Sequence, residues 1–265
     1  MQMQRRSVLT GLAVASMCPI CISRGASAAD AHGHEKHWTY EGDGGPDQWG
    51  DLKPEFKTCS IGKEQSPINL AQPIHAKLSP LNLKWKEFPL ALKNNGHTIQ
   101  IDVPPGCSLT EGDGEVYNMV NFHFHHPSEH SVDGKFYPME VHFVHLNVDL
   151  SRIKEPTAAA TVVGVLFVPG KENAVLKKIW PHMPKTGEKK ETDVKINPTG
   201  LLPANHDRYR YEGSLTTPGC NEFVHWNVIR RPITASEAQI KQFADLFPNN
   251  ARPVLPLNRR FLLEG

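Results

Sequence analysis

The chain carries 22 prolines and 20 glycines in 265 residues, and that density of breakers limits the fold before any motif is considered. Proline removes an amide donor and glycine loosens the backbone, so long helices are excluded and short segments joined by many turns are expected. The segments between breakers read as strands. Thr98-Ile99-Gln100-Ile101-Asp102-Val103 alternates, as do Asn121 to His125 and Glu140 to Leu146, while Thr161 to Val168 and Phe223 to Ile229 are apolar and β-branched. Helical patterning is confined to Asn173 to Trp180 and to a segment opened by Thr234-Ala235-Ser236-Glu237, read as a capping box, and running to about Phe247. The class is therefore mostly β. No repeat or linker divides the chain, so one domain over residues 29–265 is expected.

Residues 1–28 read as an address. Arg5 and Arg6 precede an apolar run from Val8 to Ile22, and Ala26-Ser27-Ala28 supplies a small-residue cleavage site, the pattern of a removable secretory signal. The adjacent arginines resemble a twin-arginine export signal, although a general secretory signal has a similar form. The apolar run is too short for a membrane span and contains Pro19. Export, most simply to a periplasm and alternatively out of the cell, is the expected localisation. Lys plus Arg number 29 against 28 Asp plus Glu, a balance that excludes a dedicated nucleic-acid or anionic-membrane binder.

Of five cysteines, Cys18 and Cys21 would leave with the leader, so Cys59, Cys107 and Cys220 remain. Three in an oxidising compartment imply one disulfide and one odd thiol, with the pairing left open by the sequence. A bridge from 59 to 220 would close a very long loop, worth about 4 to 5 kcal/mol in the chain-entropy model.

Fourteen histidines exceed what packing asks for. In Asn121-Phe122-His123-Phe124-His125 the period of two puts Asn121, His123 and His125 on one face and both phenylalanines on the other. In Glu140-Val141-His142-Phe143-Val144 it groups Glu140, His142 and Val144. If these strands are neighbours, three imidazoles converge, and a histidine-only set with no fourth protein ligand is the pattern of catalytic zinc with an open position. Asn121 and Glu140 lie two residues from a proposed ligand on its own face, where partners for the second ring nitrogen belong. A lone His97 after Asn94-Asn95-Gly96 would read as a surface histidine in a turn.

Phe122-His123-Phe124-His125, Ser128-Glu129-His130, Glu140-Val141-His142 and Gly213-Ser214-Leu215-Thr216-Thr217-Pro218, in that order, resemble the α-class carbonic anhydrases, specifically a bacterial exported member. Gln65-Ser66-Pro67-Ile68, Asn94-Asn95-Gly96-His97, Val224-His225-Trp226 and Arg252-Pro253-Val254-Leu255-Pro256-Leu257 extend the similarity from about Trp38 to Leu262. The resemblance implies a central, largely antiparallel twisted sheet of about ten strands with zinc at the base of a conical cleft. It also implies a Cys59–Cys220 disulfide, leaving Cys107 as the odd thiol.

Carried over residue by residue, it implies His123, His125 and His142 as zinc ligands with hydroxide in the fourth position, hydrating carbon dioxide reversibly to bicarbonate and a proton. Thr216 is implied to accept the hydroxide's hydrogen bond because its own proton is committed to Glu129. Val144, Val162, Leu215, Val224 and Trp226 would form an apolar wall for carbon dioxide, with Thr217 as a polar contact. His97 is implied as the proton shuttle, with Tyr40, Asn95 and Gln100 organising water. Gln100 replaces the asparagine usual in the animal enzymes. Anions and sulfonamides are the implied inhibitors, and monomer and homodimer fit the sequence equally. His126 stands where many animal members carry tryptophan, and His32, His34 and His37 read as a solvated tail. A non-catalytic binding protein on the same scaffold is the alternative, and its relatives lack one or more of the three histidines, all of which are present here.

Overall fold

The computed structural model describes residues 37–112, 114–147 and 160–265. The leader expected over 1–28, and with it His32 and His34, lies outside them. In chain order the strands are β1 (Asn69–Leu70), β2 (Ile74–His75), β3 (Asn82–Lys84), β4 (Phe88–Asn94), β5 (Ile99–Asp102), β6 (Ser108–Thr110), β7 (Val116–His125), β8 (Ser131–Val132), β9 (Lys135–Phe136), β10 (Met139–Leu146), β11 (Ala160–Pro169), β12 (Lys189–Ile196), β13 (Arg208–Gly213), β14 (Val224–Ala235) and β15 (Leu263–Glu264).

Twelve of them form one sheet in the order β12-β4-β5-β7-β10-β11-β14-β13-β15-β2, with β6 also against β7 and β3 against β6. Most neighbours are antiparallel; β11 with β14 and β15 with β2 are parallel. The strand β11 is buried along eight consecutive residues, covered on both faces by apolar side chains. A strand buried on both sides needs no polar alternation, which explains the unbroken run Ala160-Thr161-Val162-Val163-Gly164-Val165-Leu166-Phe167.

In β7 the buried side chains change phase along the strand, from Tyr117 and Met119 to Phe122 and Phe124. The cause is a bulge: Val144 of β10 faces Asn121 while His145 faces Met119, so Val120 is an extra residue. That extra residue keeps all four large side chains on the core face and turns Asn121, His123 and His125 to the other side.

The first helical expectation holds and the second needs adjustment. Asn173 caps the helix Ala174–Ile179, its Oδ1 accepting from the amides of Val175 and Leu176. The second helix runs Glu237–Ala244, shorter than expected, and its capping box is Ser236 with Gln239, not Thr234 with Glu237. Thr234 is unavailable as a cap because it is still strand, paired with Val168. Cys59 and Cys220 are bonded, with Cα atoms 5.0 Å apart across 161 residues of sequence, and Cys107 is free and buried. None of the described helices is long and apolar enough to cross a membrane.

Candidate metal centre

Antiparallel pairing of β7 and β10 sets His142 opposite His123 and Glu140 opposite His125. The local alternation read from the sequence therefore becomes a cluster of three imidazoles, with ring centroids 4.6 to 5.5 Å apart. Nitrogens from all three rings lie within 4.8 Å of one another.

Each ring turns one nitrogen toward an oxygen that can only accept, two of them at hydrogen-bond geometry. His123 Nδ1 is 3.2 Å from Asn121 Oδ1, His125 Nδ1 is 2.7 Å from the Asn250 carbonyl, and His142 Nε2 is 2.9 Å from Glu140 Oε1. The last contact is at ion-pair distance but off the line of a good hydrogen bond. This accounting leaves Nε2 of His123 and His125 and Nδ1 of His142 as lone pairs, the form a metal needs. The Nε2 of His125 is fully buried with no hydrogen-bond partner. In an interior whose polar atoms are otherwise mostly paired, such an orphaned acceptor between two other imidazoles fits a divalent cation.

Burial favours the neutral, metal-ready form in two of the rings. Burial, reinforced by His125 and His142, holds His123 well below the ordinary imidazole range, and burial lowers His125 against the pull of Glu129. On His142 burial is outweighed by Glu140, which lifts it. The Glu140 carboxylate accepts from the amides of Glu129 and His130, both at 2.9 Å, and lies 2.7 Å from His130 Nδ1. Burial works against its ionised form, yet His130 and His142 prevail and keep it well below the usual carboxylate range. Gly164 faces His142 across the sheet, and a Cβ there would stand 3.0 Å from Glu140 Oε1.

The cluster lies in a cleft of about 260 Å³ lined also by Tyr40, Asn95, His97, Gln100, Asn121, Val144, Val162, Leu215, Thr216, Thr217 and Trp226. Val224 is not among the lining residues; two residues before Trp226 on β14, it pairs with Ala160 and packs in the same apolar cluster as Val162 and Trp226. Glu129 is buried beneath the rings, its Oε1 accepting from the Arg252 amide at 2.9 Å. Its Oε2 has no hydrogen-bond partner, so the Thr216-to-Glu129 bond implied by the resemblance is not formed here. That oxygen instead sits 3.6 Å from His125 Nε2 and 3.7 Å from His142 Nδ1.

At the rim, Gly96 takes a φ of +86°, while Asn95 Oδ1 accepts from the amides of His97 and Thr98, a turn that starts β5 with His97 facing the cleft. The His97 ring stacks on Trp38 at 3.5 Å and His37 stacks on His97 at 4.9 Å. His37 is thus part of the rim and not a free tail. Burial, then the charge of His37, lowers His97 to about 4. Gln100 Nε2 donates to Asp102 Oδ1 at 2.6 Å, which fixes the side chain that faces His123 across β5 and β7.

The residue most clearly missed by sequence reasoning is Asn250. Its carbonyl orients His125 while its side-chain amide donates to the carbonyls of His97 and Phe124. A backbone carbonyl leaves no sequence signal. His130 had a signal, in Ser128-Glu129-His130, but nothing local connects it to Glu140.

A large mixed sheet with a three-histidine centre at the floor of a half-apolar cleft defines an enzyme class, and comparison with known proteins identifies it. The eukaryotic-type carbonic anhydrase family model matches residues 44–264. A carbonic anhydrase of Pectobacterium carotovorum is 42% identical over 256 residues, covering 95% of this chain and 98% of its own. One of Neisseria gonorrhoeae is 40% identical over 240 residues, covering 90% and 92%. Among solved structures, the α-carbonic anhydrase of Thermovibrio ammonificans in complex with the inhibitor sulfanilamide matches with a TM-score of 0.80 and 43% identity, covering 86% of this chain and 98% of that one. The chain belongs to the eukaryotic-type, or α-class, carbonic anhydrases and is an enzyme of that class.

Proposed function

We propose that the chain hydrates carbon dioxide reversibly to bicarbonate and a proton, with zinc held by His123, His125 and His142. The observation that carries this is the nitrogen accounting: three rings on adjacent strands, two tied by a hydrogen bond from one nitrogen and the third facing Glu140 at 2.9 Å, with the buried Nε2 of His125 unpartnered. Zinc bound there would lower the pKa of water to about 7, a value long established for carbonic anhydrases, and so supply a nucleophile at neutral pH.

The chain's own residues do the rest. Asn121 and Glu140 hold the rings of His123 and His142. With a metal between the rings, Glu129 Oε2, which has no hydrogen-bond partner beside His125 and His142, would turn to accept the Thr216 hydroxyl proton; a threonine with its proton so committed can only accept, which selects for ligands that bring a proton. Val144, Val162, Leu215 and Trp226 offer carbon dioxide an apolar surface, backed by Val224, with Thr217 as a polar contact. Anions and sulfonamides compete for the same space. The Cys59–Cys220 bridge supports an exported, periplasmic protein. Stopped-flow carbon dioxide hydration tests the reading: activity is expected in zinc-loaded protein, lost on chelation and regained on adding zinc. Full activity in chelated protein would overturn it, and an inactive zinc-loaded protein would favour a binding role.

His97 carries the released proton from the cleft to buffer, with Tyr40, Asn95 and Gln100 ordering the water between. In the stack on Trp38, burial and then the charge of His37 lower the ring to about 4, so a shuttle matched to pH 7 would require the ring off that stack. Replacing His97→Ala is expected to slow turnover in weak buffer by about a hundredfold, the low end of the range for a positioned acid–base group. Imidazole buffers should restore the rate; turnover equal to wild type in weak buffer would remove His97 from the path.

A further inference from the structure

Behind Glu140 a second set of side chains continues into the protein. His130 Nδ1 is 2.7 Å from Glu140 Oε1, and His130 Nε2 is 2.7 Å from the Tyr211 hydroxyl. Tyr211 also meets Ser66 Oγ at 3.1 Å, and Ser66 Oγ accepts from the Ser214 amide at 3.0 Å. Ser66, His130, Tyr211 and Ser214 are each at most 1% exposed. They come from three separate segments, Tyr211 and Ser214 sharing one, and Ser214 directly precedes Leu215 and Thr216 of the cleft.

The chemistry of the two ends orders what lies between them. Glu140 can only accept, so His130 Nδ1 carries its hydrogen toward the carboxylate; in a neutral ring Nε2 is then a lone pair, and the one proton of the Tyr211 hydroxyl points to Nε2 at 2.7 Å in preference to Ser66 Oγ at 3.1 Å. Space is reserved for this arrangement, because a Cβ on Gly213 would lie 2.2 Å from Ser66 Oγ. Glu140 is thereby held by His130 on one oxygen and by two backbone amides on the other. It has one direction left in which to face His142.

We propose that His130 and Tyr211 are positioning residues of the metal centre, locking the Glu140 carboxylate so that His142 keeps Nε2 toward Glu140 and Nδ1 free for the metal. The inference rests on reading His123, His125 and His142 as zinc ligands, and it reaches beyond the ligands and their immediate partners to a third layer. Removing the Tyr211 hydroxyl leaves a buried His130 nitrogen unpaired, and the ring then turns or draws a proton, loosening Glu140.

The test is zinc dissociation into excess chelator from zinc-loaded wild type, Tyr211→Phe and the control Tyr209→Phe on the same strand, with thermal midpoints of the three metal-free proteins. Loss of an outer partner of a metal ligand costs about 10- to 100-fold in affinity, and Tyr211→Phe, one layer further out, is expected near tenfold faster dissociation. The control should match wild type, and the metal-free midpoints should not account for the difference. Nitrogen NMR on zinc-loaded wild type should find His130 protonated at Nδ1 and bare at Nε2. Unchanged dissociation in Tyr211→Phe, or His130 carrying a proton on Nε2, alone or together with Nδ1, overturns the inference. Wild type that retains no zinc would instead defeat the underlying reading of the three histidines.

Discussion

His142→Ala is expected to leave a folded protein that neither retains zinc nor hydrates carbon dioxide. The other two rings come from one strand, two residues apart, and only His142 brings a nitrogen from the neighbouring strand. Without it the set falls to two imidazoles, below the three protein ligands of catalytic zinc sites. The loss should exceed the roughly 10- to 100-fold in affinity that removal of an outer partner costs. Folding should survive, because Glu140 keeps His130 and the amides of Glu129 and His130 as partners when His142 is gone. Zinc content after dialysis, carbon dioxide hydration and near-ultraviolet circular dichroism together separate loss of metal from loss of fold. A His142→Ala protein with the wild-type rate would end the proposed mechanism.

The largest expected effect on stability comes from the Cys59–Cys220 bridge. It spans 161 residues, and in the chain-entropy model closing a loop of that length removes about 4 to 5 kcal/mol of unfolded-state freedom. Set against a total stability of about 5 to 15 kcal/mol for a typical domain, that is a large fraction. The Cys59→Ser, Cys220→Ser double variant is therefore expected to unfold at a much lower urea concentration than wild type. Metal-free protein should be used for both, so that zinc binding does not mask the difference. The bridge also bears on the site. The Cys220 amide donates to the Thr217 carbonyl, and the Leu215 amide to Asn221, so the turn that presents Leu215, Thr216 and Thr217 is closed against the anchored cysteine. An unchanged urea midpoint would show that the bridge contributes no stability.

These two residue sets differ in how far the sequence reveals them. Side-chain alternation is a local property of extended chain, so His123 and His125 sharing a face is legible from five consecutive residues, as is the pairing of Glu140 with His142. The breaker density announced short strands, and the apolar, β-branched run from Thr161 to Val168 announced one more; that both of its faces are covered is shown by the structure. The helix starting after Ser236 was misjudged by two residues because Thr234-x-x-Glu and Ser236-x-x-Gln are equally good caps locally. What chose between them was the extension of β14 to Ala235 alongside β11.

The bulge at Val120 had no signal either, though it keeps Met119 and Phe122 on the same side of the sheet. His37 and Trp38 gave no local indication that they would cover the ring of His97. Their position depends on how the N-terminal segment lies over the rim, which is a long-range property.

Residue type and spacing thus determined which imidazoles could meet and which metal they suit. Tertiary structure alone decided which nitrogen of each ring is committed and which is left free. For His125 the deciding partner is the backbone carbonyl of Asn250, a group that every residue carries and no side-chain pattern can announce. For His142 it is a carboxylate whose orientation is held by His130 and by amides from a turn ten and eleven residues earlier in the chain. Hydrogen bonds are directional and short, so they are settled only when distant segments arrive within about 3 Å of one another.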